Sequence, residues 1–259
     1  MISAGIEYQE QGAGDAIIFL HGIGGSAQSF TRQLSQLHEY RRIAWNMPGY
    51  GASGVDFWPP TFESLSSSLA AFLHSLSLTR VHLVGQSIGG MLALEHALRR
   101  TDQVATLTLI AATPSFGGKD ETFKKEFLKA RLAPLDAGKT MGEIAVKAAP
   151  FLVGQKTAES CIAEIVSIMS KVDEKTWRGI LETLVTFNRR DELAKITQPC
   201  CVIAGSDDKN SPSHTLKKMA DALPSAEFHL IEGAGHMVNQ EAPELTNEIL
   251  NRFIGTHNQ

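Results

Sequence analysis

The sequence predicts an α/β fold: a doubly wound, mostly parallel sheet with a helical cap inserted before its last strands. Three observations carry that prediction. Short apolar runs alternate with segments of helical period, nearly every apolar run ends in a glycine-rich turn, and the alternation lapses once, over residues 115–195. Strand and helix in alternation imply βαβ units, and strands buried on both faces read as continuous apolar runs.

In chain order, Ala16-Ile17-Ile18-Phe19-Leu20 leads into His21-Gly22-Ile23-Gly24-Gly25, and Arg42-Ile43-Ala44-Trp45-Asn46 into Met47-Pro48-Gly49-Tyr50-Gly51. Val81-His82-Leu83-Val84-Gly85 runs into Gln86-Ser87-Ile88-Gly89-Gly90. Val104 to Ala111, Cys200 to Gly205 and Ala226 to Ile231 complete the set. Helical spacing marks Leu65 to Leu76, Met91 to Arg99, Ser213 to Leu223 and Ala242 to Phe253. Within 115–195, Ile162, Ile165, Val166 and Met169 fall at i, i+3, i+4, i+7, as do Trp177, Ile180, Leu181 and Leu184. Phe123 with Phe127 marks another helix, and Ile144, Ala145 and Ala148 a fourth. The expected organisation is a core of residues 1–114 and 196–259, with 115–195 as a cap over its active edge.

Composition narrows the function. Of 259 residues, 24 are Lys or Arg and 28 Asp or Glu, for a net charge of −4 with no basic run. A phosphate-tracking surface needs such a patch, so nucleic acid is not an expected partner. The N-terminus has no basic, long-apolar leader, and no stretch approaches the ~18 apolar residues of a membrane span, so the expectation is a cytoplasmic protein. Nothing in the sequence fixes an oligomeric state. Cys200 and Cys201 are adjacent in a strand, should point to opposite faces, and read as reduced core residues.

The chemistry begins at Gly85-Gln86-Ser87-Ile88-Gly89, between a strand and a helix. A nucleophile on so sharp a turn needs small residues two before and two after it. The glycine-rich His21–Gly25 loop lets backbone N–H groups approach a substrate oxygen, so the oxyanion hole is expected at the N–H groups of Ile23 and Ile88. A Rossmann phosphate turn would need G-x-G-x-x-G, which this loop lacks, and there is no P-loop lysine. A serine hydroxyl needs a base and an orienting acid. Of nine histidines, His236 is singled out by the glycines of Gly233-Ala234-Gly235-His236-Met237 at a strand's carboxyl end. His38, His74, His96, His214 and His257 lie on helical or terminal stretches and are expected to be exposed. The acid should follow Cys200–Gly205, where Asp207 and Asp208 compete.

These motifs together resemble the α/β-hydrolase fold superfamily. His21-Gly22-Ile23-Gly24-Gly25 is similar to its H-G-x-x-G, Pro48-Gly49-Tyr50-Gly51-Ala52-Ser53 to its P-G-x-G-x-S, and Gly85–Gly89 to its nucleophile elbow. Gly235-His236 with Glu241-Ala242-Pro243-Glu244 resembles its terminal G-H…E-x-P-E. Gly205 to Pro212 fits G-x-x-D-x-x-x-P with Asp208 in the acid place, which selects it over Asp207. Asn46 departs from the Asp that many members carry before the P-G loop. The resemblance implies a Ser87–Asp208–His236 triad and an acyl-enzyme mechanism without metal or cofactor.

Small bacterial carboxylesterases and the 3-oxoadipate enol-lactonase group are the members most resembled, implying a small-molecule ester or lactone as substrate. The alternatives are a carbon–carbon bond hydrolase of aromatic-ring meta-cleavage products and, in a different class, a small-molecule receptor on a hydrolase scaffold. Phe116, Met141, Phe151, Leu152, Met169, Trp177 and Met237 are candidates to line an apolar acyl pocket. Lys119, Lys124, Lys125, Lys129 and Arg131 read as a solvated helix face, and Arg189-Arg190-Asp191 as structural pairing where the cap rejoins the core.

Overall fold

The computed structural model describes residues 1–55, 58–116 and 121–257, so Lys119 lies outside the described residues. Eight strands form one sheet: β1 (Ile2–Ser3), β2 (Ile6–Gln11), β3 (Ala16–Leu20), β4 (Arg41–Trp45), β5 (Val81–Gln86), β6 (Val104–Ile110), β7 (Cys200–Gly205) and β8 (Ala226–Ile231). Their order is β1-β2-β4-β3-β5-β6-β7-β8. The pairs from β4 to β8 are parallel, while β1–β2 and β2–β4 are antiparallel. The doubly wound sheet expected from the alternation is therefore present, with an antiparallel edge that the alternation does not signal. β2 buries Ile6 and Tyr8 but leaves Gln9 and Gln11 exposed, so it lacks the continuous apolar run of an inner strand.

The helices are α1 (Thr31–Gln36), α2 (Phe62–Ser75), α3 (Ile88–Arg99), α4 (Glu121–Asp136), α5 (Met141–Ala148), α6 (Glu159–Met169), α7 (Glu174–Leu184), α8 (Ser213–Ala222), α9 (Val238–Glu241) and α10 (Pro243–Thr256). Side chains alternate across each strand and so sort into two cores. On β3, Ile18 and Leu20 pack with α2, α3 and α8, whereas Ile17 and Phe19 pack with α1 and α10. Cys200 and Cys201 divide the same way, and all three cysteines are free.

Helix α3 is buried from Ile88 to Ala97, because it lies against the sheet on one side and α2 on the other. That corrects the expectation of an exposed His96, which is fully buried between Ser66 Oγ (3.0 Å) and Gln103 Oε1 (3.1 Å). Burial, helped by the Arg100 charge, pulls its pKa down to about 4, so the ring is neutral.

Helices α4 to α7 fall between β6 and β7. Where the chain leaves and rejoins the sheet, the Phe116 N–H donates to Phe187 O and the Arg189 N–H to Pro114 O, each at 2.8 Å. Arg189 also binds the buried Glu95 carboxylate through Nε (2.5 Å) and Nη2 (3.0 Å), and Arg190 reaches Ser115 Oγ at 2.8 Å. These two arginines thus make the structural pairs expected of them. The inserted segment meets the loop after β4 through Thr176 Oγ1, which donates to Gly49 O (2.6 Å). It meets the loop after β7 through the Gln155 N–H, which donates to Asp207 Oδ2 (3.3 Å), and the loop after β8 through Leu152 O, which accepts from the His236 N–H (2.7 Å). It therefore lies across the carboxyl ends of the parallel strands, where open sheets of this kind hold their sites. Among the described residues, no helix is long and apolar enough to cross a membrane.

Candidate active site

Ser87 sits between β5 and α3 with φ 54° and ψ −123°, a strained conformation for a residue with a side chain. Its neighbours explain the motif. A Cβ on Gly85 would lie 2.3 Å from Gly89 O, and one on Gly89 2.0 Å from Leu20 O. The elbow closes only because neither residue carries one. The Ser87 N–H is anchored on Ile110 O (2.9 Å), while the N–H of Ile88, in the first turn of α3, has no acceptor within the helix.

His236 reaches Ser87 across the sheet: its Nε2 is 3.0 Å from Ser87 Oγ, and its Nδ1 is 2.8 Å from Asp208 Oδ2. The carboxylate can only accept at Nδ1, so that nitrogen carries the proton and Nε2 faces the serine as an acceptor. Asp208 is 5% exposed, and its Oδ1 accepts from the N–H groups of Asn210 (2.8 Å) and Ser211 (3.0 Å). Burial raises its pKa, but the hydrogen bond and charge of His236 and the two backbone donors outweigh burial and hold the carboxyl below its ordinary value. Asp207 turns away, accepting from Ser206 Oγ (3.1 Å) and the Gln155 N–H. Of the two adjacent carboxylates, only Asp208 contacts the imidazole.

The loop after β3 is set by a second histidine. His21 is fully buried, which pulls its pKa down to about 4 and keeps it neutral. Its Nε2 accepts from the Met47 N–H (3.0 Å), so Nδ1 donates to Gly22 O (2.8 Å), which also accepts from the Gly25 N–H (2.9 Å). In a trans peptide the N–H opposes the C=O, so pinning Gly22 O also fixes the direction of the Ile23 N–H. Tyr50 Oη holds the next carbonyl, Ile23 O, at 2.6 Å. A Cβ on Gly22 would lie 2.2 Å from Gln86 Oε1, so this loop presses directly on the elbow.

A cavity of about 820 Å3 opens above Ser87 and His236, within the range of small-molecule sites. Of the residues expected to line an apolar pocket, Phe116, Phe151, Leu152, Met169, Trp177 and Met237 do so, as does Ile23. Met141 does not; it is buried in the core with Ala145, one turn along α5. The next row of that helix, Ile144 and Ala148, lines the cavity instead. Met91, Phe127, Ile165, Leu181 and Leu184 also line it. Their helical periodicity marks a buried face without saying what that face meets. Arg131, expected on a solvated face, borders the cavity too.

Two residues matter more than their sequence signal suggests. The Glu241 carboxylate accepts from the N–H groups of Gly235 (3.0 Å) and Met237 (3.0 Å), on either side of His236, and from Gly154 N–H (2.7 Å) and Thr157 Oγ1 (2.6 Å) in the inserted segment. One side chain thus fastens the insert to the histidine loop. The backbones there nearly touch: a Cβ on Gly154 would lie 1.8 Å from Gly233 O. Asn46, the departure from the family pattern, accepts from the Ala27 N–H (2.8 Å) and donates Nδ2 to Glu7 Oε2 (2.6 Å), a bond an aspartate could not make.

The group best able to hold a metal among the described residues is Cys201, Glu227 and His229 at the β7–β8 pair, away from the cavity. The Arg252 guanidinium, 3.1 Å from His229 Nε2 and 3.5 Å from the Glu227 carboxylate, already sits there as the cation.

Residues 17–249 match the Alpha/beta hydrolase family, and the chain belongs to it. It is 28% identical to the 2-hydroxy-6-oxononadienedioate/2-hydroxy-6-oxononatrienedioate hydrolase of Paraburkholderia phymatum, covering 96% of this chain and 91% of that protein. Among solved structures it resembles a thermophilic esterase from Thermogutta terrifontis (TM-score 0.88, 24% identity, 98% of this chain and 94% of that one). It also resembles the enol-lactonase from Burkholderia xenovorans LB400 (TM-score 0.86, 20% identity, 96% of each chain).

Proposed function

We propose that this alpha/beta hydrolase is a serine hydrolase of small carboxylic esters or lactones, with Ser87 as nucleophile, His236 as general base and Asp208 as the acid that orients it. The observation that carries the proposal is the continuous chain from Ser87 Oγ through His236 to Asp208, at 3.0 and 2.8 Å, on the floor of a largely apolar cavity. In the proposed cycle, Ser87 Oγ attacks the carbonyl carbon as its proton passes to His236 Nε2, and Asp208 stabilises the imidazolium. The N–H groups of Ile23 and Ile88 receive the oxyanion. His236 then protonates the leaving oxygen, and the acyl-enzyme is released by a water activated at the same nitrogen. Phe116, Phe151, Leu152, Met169, Trp177 and Met237 bind the acyl group, and residues 115–195 serve as its cap.

Ser87→Ala tests the assignment. p-Nitrophenyl ester turnover should fall at least 10³-fold, while the circular dichroism spectrum stays that of the parent. Retained turnover removes Ser87 from the chemistry. The Paraburkholderia relative keeps a second reading in view, cleavage of a carbon–carbon bond through the same three residues. Turnover of a coloured dienolate with silence on every ester would favour it.

A further inference from the structure

We propose that the substrate carries a carboxylate at the end remote from the scissile carbonyl, held by cations gathered at the rim of the cavity; this rests on the hydrolase reading above. Ser87 and His236 line this cavity, and its lining Lys and Arg side chains, all of them exposed, come from three separate elements. Arg131 stands on α4, Lys139 and Lys147 flank and end α5, and Lys209 follows β7.

The one carboxylate among these lining residues is Glu143, and Lys139 Nζ binds it at 2.6 Å. Among the described residues, Arg131, Lys147 and Lys209 form no ion pair. Composition does not account for this excess of positive charge, because the whole chain carries −4. Arg131 is also held in place: its guanidinium lies 5.2 Å from the centre of the Phe127 ring, another lining residue. A planar donor fork braced on an aromatic wall suits a carboxylate. Like charges converging on a low-dielectric cleft raise the local concentration of an oppositely charged substrate.

The test compares p-nitrophenyl esters of one chain length, the 4-carboxybutanoate and its methyl-capped form, in the parent protein and in Arg131→Gln/Lys147→Gln/Lys209→Gln. At about twofold for each of three exposed charges, the parent should favour the carboxylate ester by roughly tenfold in kcat/KM. That preference should shrink as salt is raised, and the ratio should approach one in the triple variant. An equal or inverted ratio in the parent, with the capped ester turned over, overturns the carboxylate site and leaves the hydrolase reading standing. If neither ester turns over, that reading fails, and calorimetry judges the rim by itself. Glutarate binding more tightly than pentanoate to the parent, but not to the triple variant, supports it; equal binding refutes it.

Discussion

Replacing Glu241 by glutamine puts the junction between the insert and the histidine loop to a quantitative test. The carboxylate accepts from four donors, three of them backbone N–H groups that cannot accept in turn: Gly154 N–H, Gly235 N–H and Met237 N–H, with Thr157 Oγ1 as the fourth. An amide keeps one accepting oxygen and turns the other into a donor. If the nitrogen takes the Oε2 place, Gly154 N–H loses its acceptor; if it takes the Oε1 place, Met237 N–H does. Either way a backbone donor in a tight junction is left unpaired, at about 1–3 kcal/mol, and the charge-assisted character of the remaining bonds is lost. The sum is about 2–4 kcal/mol of stability. Because Gly235 and Met237 flank His236, the imidazole should also lose its alignment on Ser87, and a misplacement near 1 Å costs about 10²-fold in rate. Urea unfolding at pH 7 reads the first quantity. Ester turnover at a temperature where the variant remains folded reads the second, with a fall in kcat larger than any rise in KM. A variant within 0.5 kcal/mol and twofold of the parent would show that Glu241 does not hold the loop.

Two further outcomes follow from buried charge. Asn46→Asp would set two carboxyl groups against each other where Nδ2 now donates to Glu7 Oε2. One of them must keep a proton, so its folded pKa is raised above the unfolded value. The penalty is then absent below about pH 4 and grows to about 2–4 kcal/mol by pH 7; equal destabilisation at pH 4 and pH 7 in urea would contradict this. His21 and His96, with pKa values drawn down from 6.5 to about 4, act in the opposite direction. Their folded values are depressed, so the stability they contribute is full above pH 6.5 and is lost as pH falls towards 4, by about 3 kcal/mol each. His96→Gln should make the acid limb of the stability curve shallower by about 2–3 kcal/mol at pH 4.5, and an unchanged limb would rule out this linkage.

What sequence alone could reveal was set by how local the physical cause is. The boundaries of β3 and β7 match the apolar runs residue for residue, since a strand buried on both faces admits little else; those of the half-exposed edge strand β8 match as well. The elbow is equally local, because a serine with φ 54° cannot sit there unless Gly85 and Gly89 lack side chains. The β1–β2 edge is half solvated and leaves a weaker mark. Met141 and Ile144 share an amphipathic stripe, and only packing decides that the first enters the core while the second reaches the cavity. The basic rim escapes any linear scan, since Arg131, Lys147 and Lys209 come to border one cavity only in the folded chain.

The paired stems at 114–116 and 187–189 have a consequence for how such a protein diversifies. With their backbones bonded to each other, the ends of the intervening segment are already side by side. Lengthening it therefore carries only the slow logarithmic growth of loop-closure entropy. Helices there can be added, trimmed or recoloured with new side chains while the strand register beneath stays as it is. Much of the cavity wall can thus change without touching Ser87, Asp208 or His236, although Ile23, Met91, Lys209 and Met237 tie the rest of that wall to the sheet.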